Sequence, residues 1–506
     1  MSKQIRVNNS RKEKLQQLIQ AMQVGLLERE SQVKLTILAA LSGEHLLLIG
    51  PPGTAKSELA KRLKHIFVEA NYFERLLTRF TVPEEVFGPL SIKALEEDRY
   101  TRLTSGYLPS SSVAFLDEIF KANSAILNSL LTILNERQFD NGNTRDRIPL
   151  ISVIAASNEL PEGDELSALY DRFMLRSHVL PVSDENFLEL LTMKNEEFSP
   201  ELDLRLRVED LEEVQSLAQK VQVNGDVLSL IELFRIYLNE HDITVSDRRW
   251  RKIIKLLQVS AFTNDQTEVS IYDAWLLPHC LWEKPEQLTG LIEHYKNNIS
   301  VSGDFQPTQL TIILNRWEGV LSDDQKPNDP VLNEEGEVLY TNKEGAHVNY
   351  SHRKEEQFDN DGDKLYIDRR GKQTTDDGDY HNRNKEYILD VTNEPLLQPR
   401  SFTKEEVDNR VHQVQSLANR IQTFLSRLHA QSESVDKLLE NHLWADQSII
   451  PEITDTLANA IVKTKKVQNR AEKLVQAFKN LPIHSASIID FQMEDEALYE
   501  EEELDA

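Results

Sequence analysis

A glycine-rich turn follows the first strongly apolar stretch of the chain and contains the residue types that hold phosphates. The run Leu46 to Ile49 leads into Gly50-Pro51-Pro52-Gly53-Thr54-Ala55-Lys56-Ser57. In such a turn, backbone N–H groups and the N-terminus of the next helix face an anion, the lysine reaches the β- and γ-phosphates, and the hydroxyl holds Mg²⁺. The turn therefore predicts binding of a nucleoside triphosphate with Mg²⁺. Ala55 stands where the pattern has its last glycine, so the loop must accept a methyl group there.

Two consecutive carboxylates end a second apolar stretch. Asp117 and Glu118 follow the run Val113 to Leu116, and Asp117 lies 61 residues beyond Lys56. On a neighbouring strand, Asp117 would hold Mg²⁺ through water, and Glu118 would orient or deprotonate the attacking water. An Asp-Glu pair at a strand end is more often a solvated corner. Together with the phosphate loop, it favours hydrolysis of the bound nucleotide.

The elements that must position these residues alternate between short apolar runs and segments of helical period. From about residue 45 to 180, runs such as Leu46–Ile49, Val113–Leu116 and 151–154 are typical of buried parallel strands. Helices between such strands predict an α/β sheet covered on both faces. An amphipathic helix is expected before the sheet, after a capping box of Ser10 and Glu13, and its apolar face comprises Leu15, Leu18, Ile19 and Met22.

These residues resemble the AAA+ ATPases, and within them the MoxR group, most closely the RavA-type regulatory ATPases. The resemblance spans roughly residues 15 to 280. It rests on Phe87-Gly88-Pro89-Leu90, Phe115-Leu116-Asp117-Glu118, Asn135-Glu136-Arg137-Gln138-Phe139, Ala155-Ala156-Ser157-Asn158-Glu159 and Ser246-Asp247-Arg248-Arg249-Trp250. It implies a parallel sheet ordered 5-1-4-3-2, a helical lid domain, and ATP with Mg²⁺ as cofactors. In MoxR-like phosphate loops, alanine is common at the position of Ala55.

The resemblance also implies roles for polar residues outside the two motifs. Asn158 is similar to the sensor-1 residue near the γ-phosphate, with a turn or cap asparagine as the alternative. Arg172 resembles the arginine finger that acts on the next subunit's nucleotide, unless it only pairs with Asp171, and Arg137 is a second candidate. A finger donated in trans implies a ring, normally a homo-hexamer.

Two further sites of the family have less certain positions in this sequence. Arg248 resembles the sensor-2 arginine that reaches from the lid to the γ-phosphate, and the adjacent Arg249 is the alternative. Gly25 and the stretch 26–30 lie where the family wraps the adenine, without one secure side chain. The stretch 82–110 has the turn residues for a hairpin inserted near the pore or upper face.

The C-terminal part of the chain has a different composition. Gly336 and Gly362 each begin the pattern G-x-x-L-Y-x-x-x-x-G, which predicts two β-hairpin units, with chance similarity in an acidic linker as the alternative. Thr403 and Glu406 form a capping box. Two apolar seams with 3- and 4-residue spacing then predict a helical hairpin of coiled-coil type: Val407, Val411, Val414, Ala418, Ile421, Leu425 and Leu428, and Leu457, Ala460, Thr464, Val467, Ala471, Leu474, Phe478 and Leu481.

These patterns predict five parts of the chain. They are an AAA+ α/β nucleotide-binding domain at 1–185, a helical lid domain at 186–281, a discontinuous helical domain at 282–319 and 400–485, a β-rich insertion at 320–399, and an acidic tail at 486–506.

Charge and composition exclude several classes of function. The net charge of −27 disfavours nucleic acid and anionic membranes as partners. Cys280, the single cysteine, excludes an intramolecular disulfide and predicts a small buried residue in a reducing compartment. No run approaches the ~18 apolar residues of a membrane span, so we expect a cytoplasmic protein without membrane insertion. Asp359, Asp361 and Asp363 fail as a calcium loop because a lysine stands at its glycine position.

Taken together, the sequence and the resemblance predict a ring-forming, Mg²⁺-dependent ATPase that remodels or matures a protein client in a chaperone-like way. A partner with a von Willebrand factor A domain is implied by the resemblance alone. The alternatives are an ATP-driven nucleic-acid motor, which the acidic charge disfavours, and a nucleotide-gated scaffold with little hydrolysis.

Overall fold

The computed structural model describes residues 11–193, 198–299, 307–378 and 384–483. Its central element is a parallel sheet of five strands in the order β2-β3-β6-β1-β7. Counted along the sheet's own strands, this is the predicted order 5-1-4-3-2. The strands of this part are β1 (Leu46–Ile49), β2 (Tyr72–Leu76), β3 (Val113–Asp117), β4 (Gln138–Asn141), β5 (Thr144–Arg147), β6 (Ser152–Ser157) and β7 (Leu175–His178).

Helices cover the sheet because its central strands are apolar on both faces. All residues of β1 and β6 are buried, as expected for strands in the middle of a parallel sheet. In α1, the predicted apolar face of Leu15, Leu18, Ile19 and Met22 is buried, whereas Ser10 of the predicted capping box lies outside the described residues. The helices are α1 (Arg11–Gln23), α2 (Glu30–Ser42), α3 (Lys56–Ile66), α4 (Pro83–Phe87), α5 (Ile92–Glu96), α6 (Ser124–Glu136), α7 (Asp164–Tyr170) and α8 (Phe187–Thr192).

The expected hairpin at 82–110 is reduced to one antiparallel bridge, between Leu90 and Arg102. The chain turns into α5 instead of a strand because Ser91 caps that helix, its hydroxyl accepting from the N–H of Ala94 at 3.3 Å. A two-stranded hairpin forms elsewhere, from β4 and β5. Its two-residue loop is Gly142-Asn143, and the glycine has a φ of +66°. A glycine at the first loop position is a hairpin signal, although no hairpin was predicted at this position.

A helical lid follows the sheet. A short strand follows α9 and another follows α11, and the two pair in parallel. Ser246 caps α11, its hydroxyl accepting from the N–H of Arg249 at 3.2 Å. The elements are α9 (Val208–Ala218), β8 (Gln222–Val223), α10 (Gly225–Glu240), α11 (Asp247–Thr263), β9 (Glu268–Val269), α12 (Leu277–Leu281) and α13 (Gln287–Asn298).

The chain forms two compact units. One comprises Met1–Pro307 with Phe424–Lys463, and the other comprises Thr308–Thr423 with Thr464–Ala506. The predicted helical domain at 282–319 and 400–485 is therefore divided, because its residues 282–307 and 424–463 belong to the unit that contains the sheet. Buried polar contacts explain this grouping, since Trp444 Nε1 donates to Thr263 Oγ1 of α11 at 2.8 Å.

The second unit contains a ribbon of short antiparallel strands at residues 327–399. Both copies of the predicted repeat form hairpins, β11 with β12 and β14 with β15, and each gains a third strand from the returning chain, β18 and β16. The strands are β10 (Pro327–Pro330), β11 (Tyr340–Thr341), β12 (His347–Val348), β13 (His352–Glu356), β14 (Tyr366–Ile367), β15 (Gln373–Thr374), β16 (Lys385–Glu386), β17 (Ile388–Thr392), β18 (Glu394–Pro395) and β19 (Leu397–Pro399).

The hairpins of the ribbon share one turn. At Asn333 and Asp359, the side-chain oxygen accepts from backbone N–H groups two and four residues later, at 2.8–3.0 Å. Gly336 and Gly362 follow with φ of +82° and +87°, a conformation that glycine adopts without steric cost. The same turn recurs at Asn342 and Asp368. The repeat in the sequence therefore repeats one turn, in which an Asn or Asp side chain accepts from two backbone N–H groups and a left-handed glycine follows.

The described part of the chain contains three further helices, α14 (Pro307–Asp324), α15 (Lys404–Glu440) and α16 (Ile450–Lys479). The predicted capping box at the start of α15 is present, with Glu406 N–H donating to Thr403 Oγ1 at 3.2 Å and Thr403 N–H donating to the Glu406 carboxylate at 2.9 Å. Both predicted seams are buried except at Val411. Among the described residues, no helix has the length and apolar content to cross a membrane.

Candidate functional site

The turn between β1 and α3 is held close to the sheet. Gly50 N–H donates to the carbonyl of Ser157 at 3.0 Å, and a Cβ atom on Gly50 would lie 2.1 Å from the carbonyl oxygen of Val179. Only glycine fits at that position. Gly53 and Ala55 are left-handed, with φ of +79° and +63°. The loop thus accepts the methyl group of Ala55 in a conformation that costs an alanine roughly 1–2 kcal/mol.

Lys56 lies inside this turn and is only 8% exposed. Its Nζ donates to the carbonyls of Gly50 at 2.6 Å and Pro51 at 2.8 Å. Burial lowers the pKa of the ammonium, and the neighbouring carboxylates of Asp117 and Glu118 oppose that shift. The structure therefore brings the two predicted motifs into electrostatic contact.

The carboxylates and Asn158 end strands that are neighbours in the sheet. β3 lies beside β6, and β6 lies beside β1, so their carboxyl ends meet at one edge. Asn158 directly follows Ser157, whose carbonyl anchors the phosphate-loop turn, and its side chain is exposed. This edge therefore carries Lys56, Asp117, Glu118 and Asn158 together.

Glu118 has a left-handed backbone, with φ of +51°. Its N–H donates to Asp117 Oδ1 at 3.0 Å, and its carboxylate lies 3.2 Å from Lys121 Nζ. A left-handed backbone at a glutamate destabilises the fold, and such strained conformations cluster at functional sites. Asp117 and Glu118 therefore follow each other where β3 ends, and both carboxylates are near enough to Lys56 to oppose the lowering of its pKa by burial.

Arg172 lies in the turn between α7 and β7, where its Nη1 is 3.4 Å from Asp171 Oδ2. Burial lowers the pKa of Arg172, and the nearby guanidinium of Arg248 lowers it further, while Asp171 opposes the shift. The two arginines are therefore near each other, although one belongs to the core and the other to the lid.

Arg249 differs from Arg248 because its guanidinium is buried among backbone carbonyls. Nε donates to Cys280 at 2.7 Å, Nη1 to Asp171 at 3.1 Å, and Nη2 to Phe173 at 3.0 Å and Met174 at 2.9 Å. The side chain is 4% exposed. It has little capacity left for a ligand.

The guanidinium of Arg137, the second finger candidate, is also buried. Its Nη2 donates to the carbonyls of Gly43 at 2.7 Å and Ile151 at 3.2 Å, and burial lowers its pKa to about 10. It bridges the end of α2 and the start of β6. Arg172 keeps a more exposed guanidinium than Arg137.

The stretch predicted near the adenine contacts the phosphate loop through Arg29. Its Nε donates to the carbonyl of Thr54 at 3.2 Å, and its Nη2 donates to the carbonyl of Leu180, beyond β7, at 2.7 Å. The carboxylate of Glu28 accepts from Ser183 N–H at 3.0 Å. The role of Arg29 was not predicted from the sequence. The carbonyls of Thr54 and Leu180 are distant from it in the chain, and the residues next to Arg29 carry no signal for such contacts.

Comparisons with known proteins agree with this geometry. Residues 13–216 match a family model described as the MoxR domain in the MoxR-vWA-beta-propeller ternary systems, and residues 226–293 match an AAA lid domain. An uncharacterized protein of Methanocaldococcus jannaschii is 41% identical over 272 residues, which cover 53% of this chain and 70% of that protein. A second one is 39% identical over 310 residues, covering 61% and 78%.

The chain belongs to the MoxR group of AAA+ ATPases. A crystal structure from Cytophaga hutchinsonii, described as that of "a putative ATPase", superimposes on 56% of this chain and 94% of its own, with a TM-score of 0.46 and 19% identity.

The residues of this MoxR-group chain fit a magnesium nucleotide. A buried ammonium lies in a turn whose first glycine has no room for a side chain, and two carboxylates lie beside it. Within the described ranges, no three His, Cys, Asp or Glu side chains form a metal site by themselves. Mg²⁺ is commonly held by one or two carboxylates together with substrate phosphates, so this set suits an ion that arrives with its nucleotide.

Proposed function

We propose that the chain is an ATPase that hydrolyses ATP with Mg²⁺ and assembles into a ring, normally a hexamer. The observation that carries this proposal is the convergence of Lys56, Asp117, Glu118 and Asn158 at one edge of the sheet. In this proposal the residues of the turn Gly50 to Ser57 bind the phosphates, and Ser57 and Asp117 hold Mg²⁺. The bound ion neutralises charge on the phosphates. Glu118 accepts a proton from the attacking water, and Asn158 orients that water.

Arg172 completes the site from the next subunit in this proposal. At the edge of the sheet, one chain offers the carboxylate of Glu118 and the amide of Asn158 to the attacking water. Its Arg172 lies on a different turn, after β6 and α7. A guanidinium is permanently charged and bridges phosphate oxygens. In other systems such a finger increases the rate of phosphoryl transfer by ~10³–10⁵-fold. Arg248 acts as the sensor-2 residue, because Arg249 is occupied by carbonyls.

The decisive experiment mixes two inactive variants. Arg172→Ala subunits keep a whole nucleotide site but donate no finger, and Lys56→Ala subunits donate a finger but bind no nucleotide. Mixed assemblies should regain turnover that neither variant has alone. If every mixing ratio stays inactive while the variants assemble together, hydrolysis does not use Arg172 in trans.

We further propose that hydrolysis remodels or matures a protein client together with a partner that contains a von Willebrand factor A domain. The description of the matching family, which names such systems, supports the partner. The ribbon of the second unit offers a place to test it, since β10 pairs with β19 and the segment 331–396 can be replaced by a two-residue turn. Co-purification of the full and shortened chains with the candidate partner would show whether the ribbon carries the contact. Stimulation of turnover by DNA would instead favour the nucleic-acid motor.

A further inference from the structure

The lid of each subunit holds the turn that carries Arg172. Arg249 of α11 donates to the carbonyls of Asp171, Phe173 and Met174, the residues on either side of the proposed finger. Its Nη1 also lies 3.4 Å from Asp171 Oδ1, while the other oxygen of that carboxylate is 3.4 Å from Arg172 Nη1. One guanidinium from the lid therefore fixes the peptide groups on both sides of Arg172.

The position of Arg249 is itself set by the start of α11. Ser246 caps this helix by accepting from the N–H of Arg249. The fourth carbonyl that Arg249 contacts, Cys280, belongs to α12 of the same lid. The guanidinium is thus attached to the lid at one end and to the turn of Arg172 at the other, so a shift of the lid moves that turn or breaks buried hydrogen bonds.

We infer that Arg249 is a positioning residue, through which the lid of one subunit sets the finger that this subunit offers to its neighbour. The inference rests on the proposed role of Arg172 and adds a coupling between sites. Arg248, the proposed contact to the subunit's own nucleotide, is the preceding residue on the same helix. Closing of the lid on one nucleotide therefore changes the geometry of the finger at the next site.

The strength of the contact suits this role. Hydrogen bonds from a charged donor are stronger than those between neutral groups, and buried carbonyls left without a donor carry a desolvation penalty. A catalytic group displaced by about 1 Å can lose roughly 10²-fold in rate. Loss of Arg249 should therefore affect the donated finger even where the fold survives.

A trans experiment separates this role from simple support of the lid. Arg172→Ala subunits serve as acceptors, and donors carry Lys56→Ala either alone or with Arg249→Met. Because the donors bind no nucleotide, damage to their own site cannot change the result. Acceptors mixed with the double variant should turn over ATP at least tenfold more slowly than acceptors mixed with Lys56→Ala alone. The difference should lie in kcat, with the KM for ATP unchanged.

The matched control is a donor with Lys56→Ala and Arg251→Met, which removes the same charge from an exposed position of the same helix. It should rescue as well as Lys56→Ala alone. Co-purification on a tagged acceptor and thermal unfolding establish that each donor folds and joins the ring. Where Arg249→Met prevents assembly, Arg249→Lys replaces it, and several-fold weaker rescue is expected because an ammonium lacks the planar set of donors.

The outcomes are distinct. Equal rescue by the assembled Arg249 variants and by Lys56→Ala alone overturns the positioning role and leaves the proposed function intact. Absence of rescue by Lys56→Ala donors overturns the trans finger itself, and the positioning role with it. Weak rescue by both the Arg249 and the Arg251 variants would trace the loss to charge on α11, which also contradicts the inference.

Discussion

Lys56 Nζ donates to the carbonyl of Gly50 at 2.6 Å, so the ammonium closes the turn in which it lies. The contact holds the lysine beside the strand ends that carry Asp117 and Glu118. A ligand with phosphate groups offers the ammonium stronger, charged acceptors than carbonyls. These contacts fix the ammonium of Lys56 within the turn.

Lys56→Ala should abolish nucleotide binding, because it removes the only charged donor of the turn. A fluorescent ATP analogue, titrated into the variant, measures the effect. Lys61→Ala is the matched control, since Lys61 lies on the same helix and pairs with Glu74 at 3.4 Å. Normal affinity in Lys56→Ala would remove the assignment of the phosphate loop.

Without nucleotide, Gly50→Ala should lower the free energy of unfolding more than Gly53→Ala does. At Gly50 the new methyl group meets the Val179 carbonyl oxygen at 2.1 Å, so the loop must move, and overpacking of this kind costs about 1–3 kcal/mol or more. At Gly53 the methyl group enters open space, and only the left-handed backbone, at about 1–2 kcal/mol, opposes it. Urea unfolding of both variants tests the order, and a less stable Gly53→Ala would contradict it.

Glu118→Gln should bind ATP and stop turning it over. The amide keeps the shape of the side chain but cannot take a proton from water, and general-base catalysis is commonly worth about 10²–10⁴ in rate. Phosphate release measures turnover, and a nucleotide titration measures binding. Glu136→Gln is a control at an exposed glutamate. Hydrolysis at the normal rate in Glu118→Gln would count against Glu118 as the group that accepts the proton of the attacking water.

Asp273→Ala should destabilise the first unit by about 3–5 kcal/mol. Its buried carboxylate accepts from Ser260 Oγ at 2.5 Å, from Ser270 N–H at 2.8 Å and from His442 Nε2 at 3.1 Å. Removing it leaves these donors buried without an acceptor. Hydrogen exchange at Leu443 should speed up, because this residue donates to Asn264 at the same contact. An unchanged exchange rate at Leu443 would mean that groups other than Asp273 hold the segment after α15 in place.

Much of the core was predictable because its signals are local. Buried strands require continuous apolar runs, and the run from Leu46 to Ile49 forms β1 as expected. The strand order came from the resemblance, and the structure confirms it. The hairpin of β4 and β5 was not predicted although its loop, Gly142-Asn143, is a hairpin signal. At 82–110 a hairpin was expected, and the chain instead enters α5, which Ser91 caps.

Adjacent arginines illustrate what local signals cannot decide. Arg248 and Arg249 have the same side chain and differ by one position, and a step of one residue turns a helix by about 100°. One guanidinium is buried among the carbonyls of Asp171, Phe173 and Met174, and the other remains near Arg172. Only the packing of lid against core distinguishes them.

By itself, the sequence determined which residues are candidates to bind and cleave a triphosphate, since glycine turns, strand ends and helix caps follow from short stretches of chain. The tertiary structure decided which of these groups meet and which are already occupied. Arg29, Arg137 and Arg249 are bound to carbonyls far away in the sequence. Such pairings depend on long-range folding, because a backbone carbonyl has no side-chain identity that a sequence could reveal.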